Sequence, residues 1–150
     1  MISPVARSNR PMSTPNIHDF TLRVHVSSEE EGRIYLLWPC DAESLYGFVM
    51  AKFDDDPGEN DSWNGKCFFS AKIDAKSGMP TAIIALRVWD ATSAEDIAVL
   101  AHECFHAAEW MLNQLGQSPP SKGERFEPWE DMAYLLEWIM KRALARLLQN

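Results

Sequence analysis

Two histidines and a glutamate, His102, Glu103 and His106, stand in the spacing His-Glu-x-x-His between Ala101 and Ala107. Residues four apart on a helix lie one turn above each other, so both imidazoles can grip one metal ion while the glutamate beside them reaches a water on that metal. This is the working core of a zinc hydrolase, with His102 and His106 as metal ligands, zinc as cofactor and Glu103 as the general base that activates the zinc-bound water. A catalytic zinc takes three protein ligands and leaves the fourth position to water, whose pKa falls to about 7 on the metal. An extended His-x-x-Gly-x-x-His pattern does not supply the third, because Glu109 and Leu112 occupy the positions where glycine and histidine would fall. A carboxylate from a following helix is the other common solution, and the candidates are Glu127, Glu130 and Asp131. Glu127 precedes Pro128 and is biased out of helical geometry, whereas Glu130 falls inside the first turn of the last helix, so Glu130 is the preferred ligand. In the alternative assignment Glu127 ligates and Asp131 supports a histidine from behind. A structural zinc closed by Cys104 or Asp131, with no water position, is a further alternative.

The elements that must position these residues are legible in the periodicity. Thr92 or Ser93 caps a helix whose first turn carries Glu95 and Asp96 and which ends before Gly116. Ile97, Leu100, Ala101, Cys104, Ala108, Met111 and Leu115 form its apolar stripe, with His102 and His106 on the opposite side, so the motif is expected to lie off the packing face. The last helix opens around Pro128 and buries Met132, Leu136, Ile139, Ala143 and Leu147, turning Glu130 and Tyr134 the other way. Upstream, Phe20 to Val26 and Ile34 to Trp38 read as the strands of a hairpin, and Asp41 caps a helix over 42–53. The acidic tract from Asp54 to Asp61 lacks the ordered alternation and closing glutamate of a calcium loop and reads as a solvated loop. Lys66 to Ile73 alternates as a strand. Thr81 to Trp89 reads as a buried strand, and its edge is the one expected to receive an extended peptide. The expected fold is α+β, with a short, mostly antiparallel sheet of about four strands and three helices. Residues 1–18, rich in proline and polar residues, are expected to be a flexible lead-in to a single domain over 19–150.

Composition narrows the function classes. The 150 residues, 46% hydrophobic and 11% aromatic with six tryptophans, make a globular domain long enough to bury a core. A net charge of -8 and no cluster of Lys and Arg argue against a nucleic-acid ligand. No segment approaches the roughly 20 apolar residues of a membrane span. Cys40, Cys67 and Cys104 are widely spaced, without a Cys-x-x-Cys pair, which suggests neither a disulfide framework nor a cysteine zinc site and fits a reducing, cytoplasmic compartment. The expected partner is a protein or peptide substrate. The alternative function is a non-catalytic binding protein that occupies a host protein with its acidic surface.

Ala101 to Leu115 followed by Glu130-Asp131-Met132-Ala133-Tyr134-Leu135 resembles the small gluzincin-type proteins of phages and prophages, in which His-Glu-x-x-His-Ala precedes a helix carrying Glu-x-x-Ala-Tyr. The resemblance covers the C-terminal third by motif and the remainder by order of elements. It implies a minimal zincin fold and a metallopeptidase activity, with His102, His106 and Glu130 as zinc ligands and Glu103 as general base. Tyr134, Arg125 and His25 are candidates to assist the oxyanion. The sequence departs from the family at Leu135-Leu136-Glu137-Trp138, which is bulkier than the small residues expected there. Trp110 and Trp138 read as packing residues rather than substrate contacts.

Overall fold

The computed structural model describes residues 16–23, 31–58, 60–69, 80–114 and 126–149, with side chains described for all of these except 19–23, 31 and 126–131. The chain runs β1 (Asn16–Arg23), β2 (Glu31–Trp38), α1 (Ala42–Phe53), β3 (Gly65–Phe69), β4 (Thr81–Leu86), α2 (Ala94–Gln114) and α3 (Phe126–Leu147). This is the expected α+β class with a four-stranded mixed sheet and three helices.

β1 and β2 form the expected antiparallel pair, in register from Asn16 opposite Trp38 to Arg23 opposite Glu31. The first strand starts at Asn16, ahead of Asp19, while 24–26 lie outside the described residues. Asp41 caps α1 as expected, its carboxylate accepting the Ser44 N–H at 2.8 Å. The helix ends at Asp54, a left-handed residue (φ 50°) whose N–H reaches the Met50 carbonyl.

The sheet order is β1-β2-β4-β3, with β4 parallel to β2 and antiparallel to β3. All six residues of β4 are buried, because helices cover both faces of the sheet. On one face Tyr35, Leu37, Ile83 and Ala85 meet Leu45, Val49 and Phe53 of α1. On the other, Ile34, Leu36, Ala82 and Ile84 meet the inner faces of α2 and α3. Small residues at Cys104, Ala107 and Ala108 let α2 approach the sheet closely, and Gly32 of β2 leaves the room that the Met111 side chain fills. The stripe expected on α3 is buried at Met132, Ile139, Ala143 and Leu147, with Leu136 half-buried.

One expectation about this sheet is overturned. Thr81–Trp89 is not an edge: the strand stops at Leu86, lies between two neighbours, and has Val88 already 44% exposed beyond its end. A run apolar on both faces belongs at the centre of a sheet, and among the described residues the free edge beside α2 is β3 instead. Ile84, fully buried at that centre, is where side-chain truncation has a large structural cost. Ile84→Ala should destabilise the fold by about 2–5 kcal/mol and lower the melting temperature by roughly 5–15 °C, which calorimetry would measure.

Candidate metal centre

The motif helix is set up by its first turn. Ser93, not Thr92, is the cap, since its hydroxyl accepts the Asp96 N–H at 3.2 Å. Asp96 in turn accepts the Asp90 N–H at 2.9 Å, tying the connection from β4 to the start of α2. Further along, Leu100, Cys104, Ala107, Ala108, Met111 and Leu112 hold the helix on the sheet. Ile97, expected on this stripe, is 39% exposed.

His102 and His106 project from successive turns with their Nε2 atoms 3.0 Å apart and their rings edge to face. Two ligand nitrogens about 2.0–2.1 Å from a tetrahedral zinc lie about 3.3 Å from each other, so the pair is spaced as one ion requires. Ligand atoms of His102, Glu103 and His106 all fall within 4.8 Å, and they form the one such His/Cys/Asp/Glu cluster among the described residues. The described residues of the acidic tract form none: Asp56 accepts the Gly58 N–H and Asp61 pairs with Arg87.

Glu103 is not on the solvent side of the helix. It is only 6% exposed, a correction to the expectation that the whole motif lies off the packing face, because β3 runs along that flank of α2. Burial pushes its carboxyl above the usual carboxylate range, opposed by the two imidazoles and by a hydrogen bond from the Cys67 backbone N–H.

That bond follows from the strand geometry. Asn64 turns its carbonyl towards β4, where the Arg87 N–H donates to it at 2.8 Å. Antiparallel alternation then directs Lys66 and Phe68 at β4 and leaves the N–H and C=O groups of Gly65, Cys67 and Phe69 on the free edge. Gly65 lets α2 press this closely. A Cβ there would stand 2.5 Å from Val99 Cγ1 and 3.2 Å from Glu103 Cγ.

A groove of about 680 Å³ runs between β3 and α2, lined by Trp63, Gly65, Cys67, Val99, His102, Glu103 and His106 among others. Its outer wall is fixed by Arg87, which donates from Nε to the Trp63 carbonyl at 3.0 Å, from a terminal nitrogen to the Asp61 carbonyl at 2.8 Å, and pairs with the Asp61 carboxylate. The Trp63 indole N–H closes the turn on the Asn60 carbonyl at 2.8 Å. Sequence reasoning missed this wall, since nothing local to Arg87 announces a partner 26 residues away.

The remaining candidates divide. The Glu127, Glu130 and Asp131 side chains, and His25 and Arg125 entirely, lie outside the described residues. Tyr134 is 66% exposed on α3 and is not among the residues lining the groove. Cys104 is fully buried in the core cluster, where burial pushes its thiol up to about 12, and it is not part of the His102–Glu103–His106 cluster. Cys67 is likewise pushed up by burial. Trp110 stacks on Phe69 at 4.9 Å, and Arg142 lies 3.7 Å over Trp138, so both rings serve as packing surfaces.

Fold and cluster together have the form of an α+β protein with a zincin-like metal site. No protein-family model, curated protein or solved structure matches the chain.

Proposed function

We propose that this chain is a zinc-dependent peptide hydrolase of the small gluzincin type carried by phages and prophages, working in a reducing cytoplasm. The observation that carries the reading is the pair of imidazole nitrogens 3.0 Å apart beside a buried carboxylate, at the mouth of a groove with a free strand edge. His102 and His106 would hold the zinc, with Glu130 of α3 as third ligand. When bound, zinc would supply Lewis acidity at a peptide carbonyl and an acidified water as nucleophile.

The chain's own residues supply the rest. Glu103 takes and holds the proton: burial raises its affinity for one, the Cys67 N–H anchors the carboxylate, and a carboxylate oxygen lies within 4.8 Å of the imidazole nitrogens. A carboxyl that gains a proton readily in this setting can return it to the departing amine. With the Cys67 N–H held by Glu103, the outward N–H and C=O groups of Gly65 and the outward Cys67 C=O remain to offer an extended peptide the hydrogen bonds of an added strand. The test is to incubate zinc-loaded protein with a mixed peptide library and identify products by mass spectrometry. New termini from the wild type and none from zinc-loaded Glu103→Gln support hydrolysis. Identical product patterns from both contradict it.

A further inference from the structure

The groove continues along α2 beyond the histidines to Glu95, which lines it together with Ala98, Val99 and Trp63. Two acidic residues sit in the first turn of this helix, and they are used differently. Asp96 is accounted for locally, bonded to Ser93 and to the Asp90 backbone. Glu95 has no hydrogen bond or ion pair among the described residues; it is exposed and borders the groove. The other charged side chain at the rim outside the metal cluster, Lys66, does not neutralise it: its ammonium is spent on the Pro57 carbonyl at 2.6 Å. Lys66 also alternates with Cys67 and so leaves β3 on the α1 side, together with Phe68. Trp63, packed in part against the α1-side cluster with Arg87 over its ring, also lines the groove.

A carboxylate with no partner among the described residues, lining a groove whose other walls are largely uncharged, is suited to a long cationic side chain, whose methylenes lie along apolar groove surface while its charge meets the carboxylate. We propose that Glu95 is a specificity residue that selects substrates with a Lys or Arg on one side of the scissile bond. This rests on the peptide-hydrolase reading above. Glu95 lies seven residues from His102 on the same helix, about 10 Å along the axis. An extended peptide advances about 3.3 Å per residue, so the selected side chain falls two to four residues from the bond that is cut.

The test uses zinc-loaded Glu103→Gln protein, so that binding is read without cleavage. Fluorescein-labelled Ala/Gly dodecapeptides, with one Lys, norleucine or Glu scanned through the positions, are titrated by anisotropy. The expected result is one register in which Lys binds about 5–10-fold tighter than norleucine, with Glu weakest. Adding Glu95→Lys should invert the order at that position and leave the zinc content unchanged, with the melting temperature lowered only by the few degrees that reversing a first-turn charge costs. A Lys preference that survives Glu95→Lys, or tight binding with no preference at any position, would overturn the assignment while leaving the hydrolase reading intact. Failure of every peptide to bind, together with no cleavage by the wild type, would overturn both.

Discussion

Glu103→Gln is expected to keep its zinc and to lose peptide hydrolysis by about 10²–10⁴-fold, the range over which a positioned general base acts. Glutamine retains an oxygen that can accept the Cys67 N–H and nearly the same volume, so the helix stays where β3 holds it. What it removes is the ability to carry a proton. The substitution also has a sign in stability. Burial raises the Glu103 pKa in the folded metal-free protein, so between the unfolded and folded values the native chain binds a proton that the unfolded chain has released. Stability from this group is therefore present at low pH and falls as pH rises through the folded pKa. Glutamine cannot ionise, and the metal-free variant should melt at the same temperature as the wild type or higher at neutral pH. Thermal scans of the two metal-free proteins at pH 4 and pH 8 would show the gap opening upward with pH. A variant that melts lower at pH 8 than the wild type would contradict the burial argument.

Gly65→Ala is expected to damage the centre without touching a ligand. The new Cβ would meet Val99 Cγ1 at 2.5 Å, closer than carbon atoms tolerate, and Glu103 Cγ at 3.2 Å. Valine is stiff at χ1 in a helix, so the strain is relieved by moving α2 away from β3 rather than by turning one side chain. Overpacking of this kind costs about 1–3 kcal/mol, which for a chain of this size lowers the melting temperature by roughly 2–12 °C. Any separation also stretches the bond from the Cys67 N–H to Glu103, so hydrolysis should fall further than stability alone explains. Val99→Ala on the same background removes the nearest clash and should restore most of the lost stability. If the double variant is no more stable than Gly65→Ala, the close approach of helix and strand is not the cause.

The local elements were legible from sequence because their signals are local. The Asp41 cap, the apolar stripe of α3 and the unbroken run of β4 each follow from spacing and residue type. The motif itself was visible for the same reason, since a turn of helix is enough to bring His102 and His106 together. What failed depended on which strand lies beside which helix. β2 pairs with β4 across an intervening helix and strand, and that placement makes β3 the free edge and β4 the centre. No periodicity encodes it. The helical wheel set the motif off the stripe that packs on the sheet and gave no sign that Glu103 is buried, because it registers only the side of α2 that meets the sheet and not the β3 backbone along its flank. Ile97 failed in the opposite direction: it continues the stripe by number but ends 39% exposed. Gly65 carried an unread signal, since a glycine at the start of a strand often marks close approach by another segment.

The central claim is that His102 and His106 hold one zinc ion. Its most direct measurement is metal content by plasma mass spectrometry on the purified protein and on His106→Ala, both after exposure to zinc and removal of the excess. One zinc per chain in the wild type and close to none in the variant is the predicted result. No zinc in either protein, or the same amount in both, would contradict it.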